Sequence, residues 1–134
     1  MGRDDPEGIR APMTLRVVLA EDDPDIQLIA RLALQRAQFD VTVAGNGALA
    51  RARVRELRPD VVLLDWMMPA MDGLEVCSRL KADAATRDIP VVFLTAKSQE
   101  SEIRRGLELG ALGYIAKPFD PLTLGQQLRE MLGR

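Results

Sequence analysis

The sequence predicts an α/β protein of doubly wound (βα)5 architecture, and three observations carry that expectation. Three short, valine-rich apolar runs do not alternate with polar residues: Val17-Val18-Leu19-Ala20, Val61-Val62-Leu63-Leu64 and Val91-Val92-Phe93-Leu94. Runs of this length suit strands buried on both faces of a parallel sheet. Segments with helical spacing separate the runs, and a length of 134 residues fits one domain. Alternating strands and helices with right-handed crossovers place helices on both faces, and five strands in this length match the order 2-1-3-4-5.

Each element has its own local reason. After the first run, Pro24 opens a helix at a tolerated first-turn position. Ile26, Ile29, Ala30, Ala33 and Leu34 give it an expected core stripe at helical spacing. Val41-Thr42-Val43-Ala44 is a weaker second strand. A second helix runs from about Gly47 to Leu57, with Leu49, Ala50, Val54 and Leu57 apolar, and Pro59 bars its continuation. Beyond the third strand, Asp72-Gly73 is a turn signal. The helix after it carries Leu74, Val76, Cys77 and Leu80, with Cys77 expected as inert core. A fourth helix is expected over Ser98 to Leu109, with Ile103 and Leu107 on one side. Gly113-Tyr114-Ile115-Ala116 is the fifth strand, and a last helix starting at Pro121 carries Leu124, Leu128, Met131 and Leu132.

Composition removes whole classes of chemistry. The chain has no histidine, so it builds no Ser-His triad or His-ligated metal, and it cannot phosphorylate itself on histidine. A single cysteine excludes a disulfide framework and a cysteine-built zinc site. The formal charge of −2 gives no basic excess for sequence-independent nucleic-acid binding. No apolar run approaches the length of a bilayer span. The first 13 residues, MGRDDPEGIRAPM, lack the apolar core of a signal peptide and read as a flexible lead-in to a domain over 14–134. A cytoplasmic protein without membrane or direct nucleic-acid contacts is the expectation.

In an open α/β sheet, ligands bind beyond the carboxyl ends of the strands, near the switch point between strands 1 and 3. Glu21-Asp22-Asp23 follow the first run, Asp65 the third, Thr95 the fourth and Lys117-Pro118 the fifth. The acidic ends of strands 1 and 3 therefore converge, flanked by a hydroxyl and a cation. Crowded carboxylates repel, and a divalent ion relieves them. An all-oxygen set points to Mg²⁺ or Mn²⁺, which shares its shell with waters and phosphate. Asp65 is then an available nucleophile, and Lys117 a point charge for a phosphoryl oxygen. Taken alone, Asp22 or Asp23 before Pro24 could equally cap a helix, and Met68 and Met71 read as packing.

The segments VVLAEDDPD, VVLLDWMMPAMDG, VVFLTAK and YIAKPF, in this order, resemble the receiver domain of bacterial response regulators in two-component systems, over about residues 14 to 133. The resemblance implies a flavodoxin-like fold and a stand-alone, CheY-like phosphorylation switch. It makes Asp65 the phosphoacceptor. Glu21 and Asp22 become the acidic pair that holds Mg²⁺ together with Asp65 and the backbone carbonyl of Met67. Asp23 lies one place beyond that pair. Thr95 matches the switch hydroxyl, Lys117 the lysine that contacts the phosphoryl group, and Tyr114 the aromatic that turns inward on activation. The Lys117-Pro118 bond is implied to be cis.

By the same resemblance the donor is a histidine kinase or histidine phosphotransfer protein acting in trans. The output is a downstream protein on the surface of helix 4, strand 5 and helix 5. Met67 and Lys97 occupy the two variable positions flanking the acceptor, and neither suits orientation of an attacking water, so a slow-decaying aspartyl phosphate is expected. The stretch Gly110-Ala111-Leu112-Gly113-Tyr114 lacks the acidic pair of the winged-helix regulators, so a monomer or weak dimer is expected rather than their charge-paired dimer. Two alternatives accompany this reading. One is a receiver cut from a larger regulator with a DNA-binding or enzymatic output domain. The remote one is an aspartate-nucleophile phosphatase, which Met67 disfavours because it stands where such enzymes carry a second carboxylate.

Overall fold

A computed structural model describes residues 14–69, 71–96 and 100–134. Lys97, which the sequence reading placed beside the acceptor, and residues 1–13, expected as a lead-in, lie outside the described residues. The strands are β1 (Leu15–Ala20), β2 (Phe39–Ala44), β3 (Val61–Asp65), β4 (Val91–Ala96) and β5 (Gly113–Lys117). The helices are α1 (Pro24–Arg36), α2 (Gly47–Leu57), α3 (Gly73–Ala82), α4 (Glu100–Glu108) and α5 (Leu124–Leu132). All strand pairs are parallel, in the order β2-β1-β3-β4-β5. The sheet is the flavodoxin-like arrangement that the alternating pattern predicts.

Strand side chains alternate between two apolar layers. Val17, Leu19, Val61, Leu63, Val92 and Leu94 pack with Ala30 and Leu34 of α1 and Leu124 and Leu128 of α5. Val18, Ala20, Val62, Leu64, Val91 and Phe93 pack with Val54 of α2 and Val76, Cys77 and Leu80 of α3. Helix α4 joins that second layer at Gly106, where an added Cβ would lie 2.6 Å from the Phe93 ring. Burial on both faces explains why these runs show no polar alternation.

Local signals set the helix ends. Asp23 caps α1 by accepting from the amides of Asp25 and Ile26, with Pro24 in the first turn. Asn46 caps α2 and Asp72 caps α3, while Arg58 leaves α2 in a left-handed conformation at φ 47°. The last helix begins at Leu124 and not at Pro121, because Asp120 captures the intervening turn. Its Oδ1 accepts from Leu122 N–H at 2.9 Å, and its backbone carbonyl accepts from Thr123 and Leu124 N–H.

Three helices depart from the expected stripe; on α2 Leu49 is exposed, and Ala50 and Val54 face the core. On α1 the buried residues are Ala30, Ala33 and Leu34, whereas Ile29 joins Leu28 and Leu32 as half-exposed. On α4 Ile103 is buried but Leu107 is half-exposed, and Gly106 takes the inward place.

Candidate functional site

The strand alternation that builds the core also builds the site. Glu21 continues the parity of Val17 and Leu19, Asp65 that of Val61 and Leu63, and Lys117 that of Ile115, so all three lean toward the α1/α5 side of the sheet. Strand register brings their backbones level: Ala20 pairs with Leu64, Asp65 with Leu94, and Ala96 with Lys117. Thr95 continues the parity of Val91 and Phe93 and leans the other way, toward α4. It is buried at the end of β4.

The carboxylates of Glu21, Asp22 and Asp65 each offer an oxygen within 4.8 Å of the others. Glu21 is 1% exposed and Asp65 4% exposed, while Asp22 faces solvent. Lys117 Nζ donates to Asp65 Oδ1 at 2.9 Å and lies 3.0 Å from Glu21 Oε1. Among the described residues, one ammonium, paired with Glu21 and Asp65, thus stands against a cluster of three carboxylates. Burial pushes the Glu21 carboxyl above its ordinary value, against the opposing pull of Lys117 and of the Asp23 amide, and the charge of Asp65 adds to the rise. Burial alone would lower the Lys117 ammonium, but its hydrogen bonds and charge contacts with Asp65 and Glu21 outweigh that and hold it above its ordinary value. More carboxylates than ammonium groups among the described residues, all-oxygen donors and a solvent-facing Asp22 fit a hard divalent cation.

Met67, Met68, Pro69 and Asp72 form the other wall. Met67 is 67% exposed, and with Asp22, Trp66, Met68, Pro69, Asp72 and Glu102 it lines a cleft of about 460 Å³. The indole of Trp66 turns to the opposite face and packs on Phe93 with ring centroids 4.7 Å apart. Met68 is buried in the α2/α3 layer and Met71 packs against it, as the packing reading expects. Tyr114 is 46% exposed and lines a cleft with Ile103, Arg104 and Leu107 of α4. The Lys117-Pro118 bond is cis.

Sequence reading missed three features. Gln27 of α1 donates from its side-chain amide to the backbone carbonyl of Glu21, tying the helix to the acidic pair. A mostly apolar cleft of about 360 Å³, lined by Ile26, Ile29, Lys117, Pro118, Phe119 and Pro121, opens beside the lysine. The sequence signal for it was present in α1, which carries more large apolar residues than one stripe needs. Glu102 of α4 reaches the cleft over Asp22, a tertiary meeting that no local spacing encodes.

A doubly wound parallel sheet with a buried acidic pocket and a lysine at its carboxyl edge defines a class of α/β domains that bind their ligands at the topological switch point. Within that class, the chain belongs to the response regulator receiver domain family, whose match spans residues 17–129. It is 43% identical over 122 residues to the DNA-binding response regulator MtrA of Mycolicibacterium smegmatis, covering 91% of this chain and 52% of that protein. The chain therefore spans about half the length of the curated relatives it matches. Its fold is similar to the chemotaxis response regulator CheY4 of Vibrio cholerae, with a TM-score of 0.82 and 29% identity over 88% of this chain and 98% of the other. The receiver domain of the sensor histidine kinase PA1611 from Pseudomonas aeruginosa, solved with a magnesium ion coordinated in its active-site cleft, gives a TM-score of 0.81 at 27% identity, covering 90% of this chain and 99% of that one. The chain is thus a receiver domain of the response regulator family. Among the described residues, no helix is long and apolar enough to cross a membrane.

Proposed function

We propose that this receiver accepts a phosphoryl group on Asp65 from the phosphohistidine of a histidine kinase or phosphotransfer protein in the cytoplasm. The observation that carries the reading is the Lys117 ammonium, shared by buried Asp65 and Glu21 beside solvent-facing Asp22. Glu21, Asp22, Asp65 and the Met67 carbonyl would hold Mg²⁺, which when bound offsets charge on the phosphoryl oxygens; Mn²⁺ fits the same oxygen donors. An Asp65 oxygen attacks phosphorus, the P–N bond to the donor's imidazole breaks, and the imidazole leaves with its electron pair. Lys117 then moves its hydrogen bond from Asp65 to a phosphoryl oxygen, stabilising the charge that a loose transition state spreads there.

Thr95 supplies the hydroxyl that follows the phosphoryl group. Its movement makes room for Tyr114, which leaves the cleft against α4 and turns inward. The α4-β5-α5 surface changes shape by favouring a conformation already present in the ensemble. That surface binds the downstream partner. The apolar cleft at Ile26, Ile29, Pro118 and Phe119 gives the donor protein a surface beside the acceptor. The receiver contributes the catalytic groups, Asp65 and Lys117, for its own phosphorylation and dephosphorylation.

The test is incubation with acetyl phosphate, with and without Mg²⁺, followed by intact-mass measurement. The expected product carries one added phosphoryl group that hydroxylamine removes, requires Mg²⁺, and is absent in Asp65→Ala. Phosphorylation of Asp65→Ala at the same rate, or none in the unmodified chain, overturns the assignment.

A further inference from the structure

We propose that Gly47, on α2 and outside the acidic cluster, is a positioning residue that sets the loop carrying the Met67 carbonyl. The inference rests on the Mg²⁺ reading given above and extends it to a residue that touches no ligand oxygen.

The loop leaves β3 after Trp66 and returns at α3. Its base is closed by Gly73 N–H donating to the Trp66 carbonyl at 2.8 Å. At Gly73 an added Cβ would sit 2.5 Å from the backbone oxygen of Asp65, so α3 starts directly on the acceptor's own peptide. Asp72 fixes the far end as the α3 cap, accepting from Glu75 N–H at 2.9 Å. Between these anchors, Met71 N–H donates to the Pro69 carbonyl at 2.8 Å.

The outer arm of the loop then rests on Gly47. A Cβ there would run into the Met71 backbone oxygen, and it would also lie 2.8 Å from Val76 Cγ2 and 2.9 Å from Met71 Cβ. The first obstacle is backbone, which cannot rotate away as a side chain can. Any side chain at position 47 must therefore push the loop off α2 or lift α2 from α3. The Met71 N–H is tied to the Pro69 carbonyl and the base is closed at Trp66 and Gly73, so a shift at Met71 passes through Pro69 toward Met67. Gly47 carries no left-handed backbone angle, so what the position demands is space and not conformational freedom.

The experiment is calorimetric Mg²⁺ titration of the full chain, with thermal melts to verify folding. Gly47→Ala is expected to raise the Mg²⁺ dissociation constant about tenfold, in the range that positioning partners of metal ligands show. Phosphorylation by acetyl phosphate should slow at limiting Mg²⁺ and recover at saturating Mg²⁺. The control is Leu34→Ala, which removes buried packing from the opposite layer, on α1 and away from the loop. It should lower the melting temperature yet leave the dissociation constant unchanged. An unchanged constant in folded Gly47→Ala, or an equal rise in Leu34→Ala, overturns the proposal. If Gly47→Ala does not fold, Asp72→Ala frees the same loop from its other anchor; a severalfold weaker constant supports the proposal and an unchanged one overturns it. Absence of Mg²⁺ binding by the unmodified chain overturns the underlying Mg²⁺ reading instead.

Discussion

The interior of the sheet and its carboxyl edge are buried to the same degree by opposite kinds of residue. Val18, Leu19, Val62, Leu63 and Leu94 are fully covered, and at or just past the carboxyl ends of the same strands Glu21, Asp65 and Thr95 are covered as well. Burial of the first group stabilises the fold by about 25 cal/mol per Å² of apolar surface. Burial of the second costs free energy, which Lys117 only partly offsets. The edge is therefore kept for function at the expense of stability, as expected where local rules are broken at a site. Four experiments can break or sharpen that contrast.

The largest effect belongs to the interior. Leu63→Ala should cost about 2–5 kcal/mol, since it empties a site in the middle of the central strand. Glu21→Gln keeps the volume and removes the charge, so metal-free stability should stay within about 1 kcal/mol of the unmodified protein or exceed it. Chemical denaturation without divalent ions compares the two. Equal losses would show that the edge bears on stability as the interior does.

Next comes Lys117. Lys117→Met leaves Glu21 and Asp65 without their cation, and should cost about 3 kcal/mol at neutral pH without metal. Millimolar Mg²⁺ should restore part of the loss. Acid should restore part as well. Burial raises the Glu21 carboxyl above its ordinary 4.5, so the folded state holds that proton more tightly than the unfolded chain does. The resulting contribution to stability is complete below about pH 4.5 and is lost as pH rises through the folded value. Melting temperatures of the variant should therefore fall from pH 4.5 toward 7 without metal. A profile that rises over that interval contradicts the account of Glu21.

Cys77 gives a smaller effect from the interior. Burial pushes its thiol from 9.0 up to about 11, with the charge of Lys81 opposing the rise. The unfolded chain loses this proton first, so stability should decline between pH 9 and 11 by about 1.4 kcal/mol per unit at most. Cys77→Val should flatten that stretch of the curve. In the native protein the thiol should resist aromatic disulfide reagents and react only at the rate of unfolding. Fast labelling in native buffer would place the sulfur outside the core.

The contrast also explains which parts of the molecule were legible in the sequence. The strands were legible because two-sided burial writes itself as uninterrupted valine and leucine. The meeting of Glu21, Asp22, Asp65 and Lys117 at the carboxyl edge was legible because each follows the end of such a run, and the topology does the rest. Helix α1 misled the core assignment at Ile29 because it carries two apolar surfaces, one against the sheet and one half-exposed, and periodicity alone does not tell them apart. On α4 the inward position is Gly106, which is chosen for the Phe93 ring and leaves no hydrophobic signal. The start of α5 was misplaced because Pro121 fits a helix opening and a turn equally well, and Asp120 decides for the turn. Gln27 on the Glu21 carbonyl and Glu102 over Asp22 are meetings of distant elements, which no local spacing contains.

The smallest effect is optical, and it tests the boundary between the two regions. Trp66 is the only tryptophan and directly follows Asp65 in sequence. Strand alternation sends the two side chains to opposite faces, so the indole meets Phe93 and not the carboxylates. Phe93 in turn is what Gly106 of α4 packs on. The emission of Trp66 should therefore respond weakly to Mg²⁺ alone, through the cleft it shares with Asp22 and Met67. It should respond more strongly to a beryllofluoride phosphoryl mimic added with Mg²⁺, when the α4 side of the sheet rearranges. Phe93→Leu should reduce the second change and leave the first, because only the second passes through the ring contact. Asp65→Ala should remove the second change entirely. A larger response to Mg²⁺ than to the mimic, or loss of both in Phe93→Leu, would mean that the indole senses the Met67 loop and that the edge and the α4 layer are not coupled through this stack.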